Sequence, residues 1–124
     1  MDGLPKDIDL SSLNGRSIEV LRISRYQVHF FLNDDRPHKP DVWIEIGGTI
    51  IVTDHAGNTT EIDDYRANGG LLCLLLGLTI ERSSRRDDGG LRLELSDRFR
   101  LEVPIDTPMY ESVVLHIGDN AIIG

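Results

Sequence analysis

The chain has few of the residues that most often announce a chemistry: one cysteine, four histidines and one tryptophan in 124 residues. It is also short of positive charge, with thirteen Lys and Arg against twenty-one Asp and Glu, a net charge of −8. The lone Cys73 excludes an internal disulfide. It stands among leucines and reads as a small core residue, because reactive thiols need electropositive, partly open surroundings. The deficit of cationic side chains argues against DNA, RNA and anionic membranes as partners, since basic contacts supply most of the affinity for a phosphate backbone. A protein with a basic surface is the better match, because opposite charge speeds encounter and disfavours wrong partners. The apolar stretch from Leu71 to Leu78 falls well short of the roughly 20 residues that a spanning helix needs. The opening Met1-Asp2-Gly3-Leu4-Pro5-Lys6-Asp7 lacks the charged-then-apolar pattern of a secretory signal. A cytoplasmic location is the expectation.

The chain does contain alternating, strand-like sequence over most of its length. Residues 1–14 carry Pro, Asp and Ser with little periodicity and read as an N-terminal arm, leaving 15–124 as a single β-rich domain. From Ser17 to Leu32, Tyr26, Val28, Phe30 and Leu32 fall on one face, and Gln27, His29 and Phe31 on the other, with Ser24-Arg25 at a turn or bulge. Asn33 to Pro40 is polar, with two prolines that a central strand would not tolerate, and reads as a loop. Val42, Ile44 and Ile46 then alternate with Asp41, Trp43 and Glu45. Gly47-Gly48 marks a kink before Thr49 to Thr53, and His55-Ala56-Gly57-Asn58 turns the chain into Thr59 to Ile62.

Ala67 to Gly77 is the one helical stretch, apolar all round and so expected to be buried on most sides, with Gly77 at its left-handed C-terminus. Beyond it, Thr79 to Ser83 reads as a strand. A hairpin centred on Asp97 then pairs Leu93 with Leu101 inside, and Arg92 with Glu102 and Glu94 with Arg100 outside, two opposite-charge pairs that fix the register. Val113, Leu115 and Ile117 form a further strand, and Gly118-Asp119-Asn120 turns into a short last strand from Ala121 to Ile123. Strands about ten residues apart with turn signals between them describe a mainly β (α+β) protein. Its architecture is a strongly curved antiparallel sheet, a sandwich or a partly open barrel with one buried α-helix near residues 67–77.

Candidate chemistry is sparse. His29, His38, His55 and His116 share no i, i+3 or i, i+4 spacing that would place ligands on one helix face. No metal or cofactor is expected. Asp34-Asp35, Asp63-Asp64 and Asp87-Asp88 are acidic doublets in loops, without the regular oxygen offsets of a calcium loop. They read as solvated charges or as carboxylates that face Lys and Arg on a partner. The serines lack a nucleophile elbow, and the paired glycines lack the offsets of a phosphate-binding loop. Trp43 lies opposite Val42, Ile44 and Ile46. It is either covered by the helix or a second sheet, or open as an interface anchor. Tyr65 and Tyr110 flank elements and could close the core edge or join an interface.

Leu13-Asn14-Gly15-Arg16-Ser17-Ile18 leads to Tyr26-Gln27-Val28. The Leu71 to Gly77 helix, Met109-Tyr110-Glu111-Ser112-Val113 and the closing Gly118-Asp119-Asn120 hairpin follow. This arrangement resembles a group of small uncharacterised bacterial proteins, some of them encoded beside polymorphic or contact-dependent toxins as their immunity proteins. The resemblance implies a non-catalytic protein that binds and occludes a cognate toxin. On the residues themselves, Asp34, Asp35, Asp54, Asp63 and Asp64 would steer a basic partner, with Trp43 or Tyr65 as anchor. Two other classes remain open. One is a small-ligand binder using His29 or His116 in a cavity of the curved sheet. The other is a homodimer joined through an exposed edge near Ala121 to Ile123.

Overall fold

A computed structural model of the protein describes residues 3–34, 41–105 and 112–124. Among the described residues there are ten strands: β1 (Ser17–Ile23), β2 (Val28–Asn33), β3 (Val42–Ile46), β4 (Ile50–Thr53), β5 (Thr59–Ile62), β6 (Ile80–Arg85), β7 (Leu91–Leu95), β8 (Arg100–Val103), β9 (Val113–Ile117) and β10 (Asn120–Ile123). They form two five-stranded antiparallel sheets, the first in the order β1-β2-β3-β9-β10 and the second in the order β5-β4-β8-β7-β6. The kink at Gly47-Gly48 is where the chain leaves the first sheet for the second.

Period-two alternation decides which face of each sheet is inside. In the first sheet Val28, Phe30, Leu32, Val42, Ile44, Ile46, Val113 and Leu115 point inward, and in the second Ile50, Val52, Leu91, Leu93, Leu95, Leu101 and Val103 do, all in one hydrophobic cluster. The two sheets thus share a core as a sandwich does. They are joined along one side, where Ile18 N–H donates to Leu78 O (2.9 Å), Gly77 N–H to Ile18 O (2.7 Å) and Ile80 N–H to Arg16 O (2.8 Å). The hairpin of β7 and β8 has the register read from its sequence: Leu93 opposite Leu101, Arg92 opposite Glu102 and Glu94 opposite Arg100.

Three expectations change in detail. The N-terminal residues are part of the domain and not an arm, for Leu4, Leu10 and Leu13 are 1%, 6% and 0% exposed. Leu4 N–H donates to Gly89 O (2.7 Å), Arg85 Nε to Leu4 O (2.7 Å) and Ser83 Oγ to Leu10 O (2.8 Å). Those three leucines have no regular spacing, so periodicity gave no sign of them. The helical stretch also starts two residues earlier, at Tyr65, is mostly 3-10 and is less buried than its composition suggests. It consists of α1 (Tyr65–Asn68) and a 3-10 segment over Gly69–Leu75. With three residues per turn, positions i and i+3 eclipse. Leu72 and Leu75 therefore line one ridge and are fully buried, while Leu71 and Leu74 line another and are 43% and 62% exposed. Cys73 lies on neither ridge; it is exposed and is not a core residue. Gly77 does take the left-handed conformation, at φ 85°.

Candidate functional site

The outward face of the first sheet carries the densest group of chemically distinctive side chains. Strand pairing sets them in two rows. One runs Val20, Phe31, Trp43, His116 and Ala121 across β1, β2, β3, β9 and β10; the other runs Arg22, His29, Glu45, Val114 and Ile123. Each residue is placed by alternation against a buried neighbour: Trp43 lies between inward Val42 and Ile44, and His116 between Leu115 and Ile117.

Within the rows the rings pack on one another. Trp43 and His116 stack with centroids 3.5 Å apart and planes 2° from parallel. Phe31 stacks on the other side of Trp43 at 5.6 Å, and the His29 ring is tilted against Trp43 at 5.5 Å. The Arg22 guanidinium lies 5.4 Å from the Phe31 centroid, within the range of a cation–π contact. Glu45 Oε1 lies 3.2 Å from His29 Nε2, within hydrogen-bond reach, and 4.0 Å from His116 Nε2, beyond it. His29 Nδ1 and His116 Nε2 are buried without a hydrogen-bond partner among the described residues. Val20, 53% exposed, and Ile123, 45% exposed, stand at opposite margins of this face. The result is a half-buried aromatic band with polar ring edges, flanked by bare aliphatic side chains.

The acidic residues singled out from the sequence do not gather into a single patch. Asp34 is nearly buried, 3.8 Å from the equally buried Arg16 guanidinium, and so cannot steer a partner from a loop. Asp35, like Tyr110, lies outside the described residues. Asp54 ties the β4–β5 turn: its Oδ1 accepts from Ala56 N–H and Asn58 N–H, each at 2.9 Å. The Asn58 N–H is the main reason its carboxyl is held below the usual range. Asp63 and Asp64 lie at the other end of the β5 strand. Asp64 caps α1, its Oδ1 accepting from Arg66 N–H and Ala67 N–H. Both line an open cleft of about 380 Å³ with Arg25, Tyr26 and Arg66, away from the aromatic band.

Tyr65 is 5% exposed and its hydroxyl donates to Gly48 O, which makes it a core residue and removes it as a surface anchor. Trp43 keeps its place on an outward face, half-buried by its own ring partners. His29 and His116 line neither the Arg25 cleft nor a smaller groove beside Leu71, Leu74 and Phe99. They join Trp43 instead. The pairing of β3 with β9, which brings His116 onto Trp43, has no local signal in the sequence. The outward position of Phe31, His29, Trp43 and Glu45 does have one, in the alternation of β2 and β3.

Among the described residues no group of His, Cys, Asp and Glu side chains is arranged to hold a metal ion. No helix among them is long and apolar enough to cross a membrane. Fold and face together define a small two-sheet β protein whose most distinctive surface is an aromatic–histidine band on one sheet. No curated protein and no solved structure matches the chain. It belongs to DUF6188, a family of unknown function, whose profile matches residues 9–115.

Proposed function

We propose that this protein is a non-catalytic protein-binding module, an immunity protein that binds and occludes a cognate toxin with a basic surface, and that the outer face of the first sheet is its contact surface. The observation that carries the choice of surface is the Phe31–Trp43–His116 stack lying between exposed Val20 and Ile123. Aromatic side chains surrounded by aliphatic contacts are the usual anchors of protein interfaces, because they desolvate a large area at small conformational cost. The resemblance to immunity proteins supports the kind of partner. The net charge of −8 supports a basic one, drawn in by the field of the whole molecule since the individual loop carboxylates are dispersed.

The test starts with tagged protein as bait in lysate of the source organism, at low and at high salt, because charge-steered contacts are screened by ions. The captured protein is then expressed alone and together with this chain while growth is followed. A basic partner that arrests growth alone and is silenced by the wild type, but not by a folded Trp43→Ala variant, is the expected result. Growth arrest that the wild type leaves unrelieved would remove the immunity reading. Relief by Trp43→Ala and Val20→Asp equal to that of the wild type would move the contact to another surface.

A further inference from the structure

Each sheet ends in two outer strands, and three of the four ends are protected. The first half of β1 is paired with the Gly77–Ile80 segment, through the Ser17–Thr79 bridge and the hydrogen bonds of Ile18, and its register is broken by a bulge between Ile18 and Val20. β6 has a bulge between Ile80 and Arg82, carries Glu81 and Arg82, and is held to the N-terminal segment through Ser83 and Leu10. β5 carries Glu61 and runs into Asp63-Asp64. Bulges, charges and covering segments are the devices that keep sheet edges from pairing with other chains. The fourth end, β10, has no bulge and no charged residue within the strand, only Asp119 just before it, and no covering segment among the described residues. Its residues are Asn120, Ala121, Ile122 and Ile123, and Ala121 and Ile123 are exposed.

The hydrogen-bond phase of the hairpin shows which groups face outward. Gly124 N–H donates to Val113 O at 2.8 Å, so Gly124 and Val113 are a hydrogen-bonded pair. Hydrogen-bonded and non-hydrogen-bonded pairs alternate along an antiparallel ladder. Ile122 with Leu115 and Asn120 with Ile117 are therefore bonded pairs, whereas Ile123 with Val114 and Ala121 with His116 are not. The N–H and C=O of Ala121 and Ile123 then point away from β9, toward the open edge.

We infer that β10 is a self-pairing edge, and that a second copy of this chain adds to it in antiparallel register about a two-fold axis through Ile122. Two outward residues separated by one inward residue are self-complementary in only this way. Ala121 of one copy and Ile123 of the other exchange N–H and C=O bonds, and the symmetric pair does the same. Ile122 faces its own equivalent on the core side, where it already packs against the cluster. On the outer face, the row that ends in Trp43, His116 and Ala121 continues into Ile123 and Val114 of the second copy. The product is a ten-stranded sheet with two aromatic bands on one side. The contact rests on neither the toxin nor the proposed function.

Sedimentation of the whole chain over a concentration series tests it, with amide exchange followed at the same concentrations. A mass that rises from monomer to dimer, with Ala121 and Ile123 amides protected only in concentrated samples, is the expected result. Ala121→Pro removes an outward N–H without touching the bonds to β9, a change that sheet edges tolerate. It should abolish the dimer and leave the monomer's circular dichroism unchanged. Ile123→Lys places a charge at the same edge and should weaken association at least tenfold, which covers the case in which the proline variant does not fold. A wild type that stays monomeric throughout, or a dimer that survives Ile123→Lys, would overturn the assignment.

Discussion

Trp43 and His116 stack face to face across two neighbouring strands, with ring centroids 3.5 Å apart and planes 2° from parallel. Neither ring is close to the other in sequence. The pair exists because β3 and β9 run antiparallel with these residues in register. An aromatic pair of this kind contributes about 0.5–1.5 kcal/mol beyond the area it buries. Removing His116 (His116→Ala) should therefore lower unfolding stability by about 1 kcal/mol. The change can be read in the emission of Trp43, the one tryptophan, which should shift to longer wavelength as its ring face is wetted. Trp43→Ala should cost about 1–3 kcal/mol, less than a fully buried tryptophan, because its ring is half-exposed. Urea titration followed by circular dichroism measures both.

Glu102 is the common partner of three arginines on the outer face of the second sheet. Arg86 Nη1 lies 2.8 Å from its Oε2 and Arg92 Nη2 3.3 Å from the same atom, while Arg100 Nη1 is 3.8 Å from Oε1. The carboxylate is 11% exposed, and its arginine partners are between 22% and 44% exposed, so water screens only part of the network. Glu102→Ala removes the carboxylate that three guanidinium groups share, leaving Arg86 with Asp88 alone and Arg100 with Glu94 alone, and should cost about 1–3 kcal/mol. Glu94→Ala removes only the more exposed pair with Arg100 and should cost below about 1 kcal/mol. Equal costs in denaturant titration would show that Glu102 is an ordinary surface charge.

Asp54 makes the stability of the β4–β5 turn depend on pH. Its folded carboxyl is held below the ordinary range, chiefly by the Asn58 backbone N–H. A depressed folded value means that the ionised group stabilises the fold above the unfolded value, and that this contribution is lost as pH falls through the folded one. At neutral pH, Asp54→Ala should lower the thermal midpoint relative to the wild type. The gap should close in strongly acidic solution, once the wild-type carboxyl is protonated. A gap independent of pH would assign the turn to something other than the charged acceptor.

Gly90 and Gly70 should respond in opposite directions to alanine. A Cβ on Gly90 would lie 2.0 Å from Val103 O and 3.0 Å from its carbonyl carbon, both backbone atoms of the neighbouring strand. Gly90→Ala must push β7 and β8 apart at the point where Leu91 pairs with Val103, and should cost about 2–4 kcal/mol. At Gly70 a Cβ meets nothing within 4 Å. There, alanine restricts the unfolded chain without a clash and should be neutral or stabilising by up to about 1 kcal/mol. Thermal melts of the two variants make the comparison.

What the sequence determined by itself was local. Alternation set which side of β2, β3 and β9 faces the core, and charge pairing across Asp97 set the register of β7 and β8. The glycine at 77 marked the end of the helical stretch. Those features depend on residues within one strand or one hairpin, where period and pairing are legible. The placement of Leu4 and Leu10 in the core, the burial of Asp34 against Arg16 and of Tyr65 beneath Gly48, and the split of the leucine run into a buried and an exposed ridge depend on contacts between distant segments. No spacing in the chain records them. The aromatic–histidine band required both kinds of information. Alternation turned Phe31, His29 and Trp43 outward, but only the non-local pairing of β3 with β9 laid His116 on Trp43, because strand order is settled by which faces fill one core together and not by any residue's own neighbours.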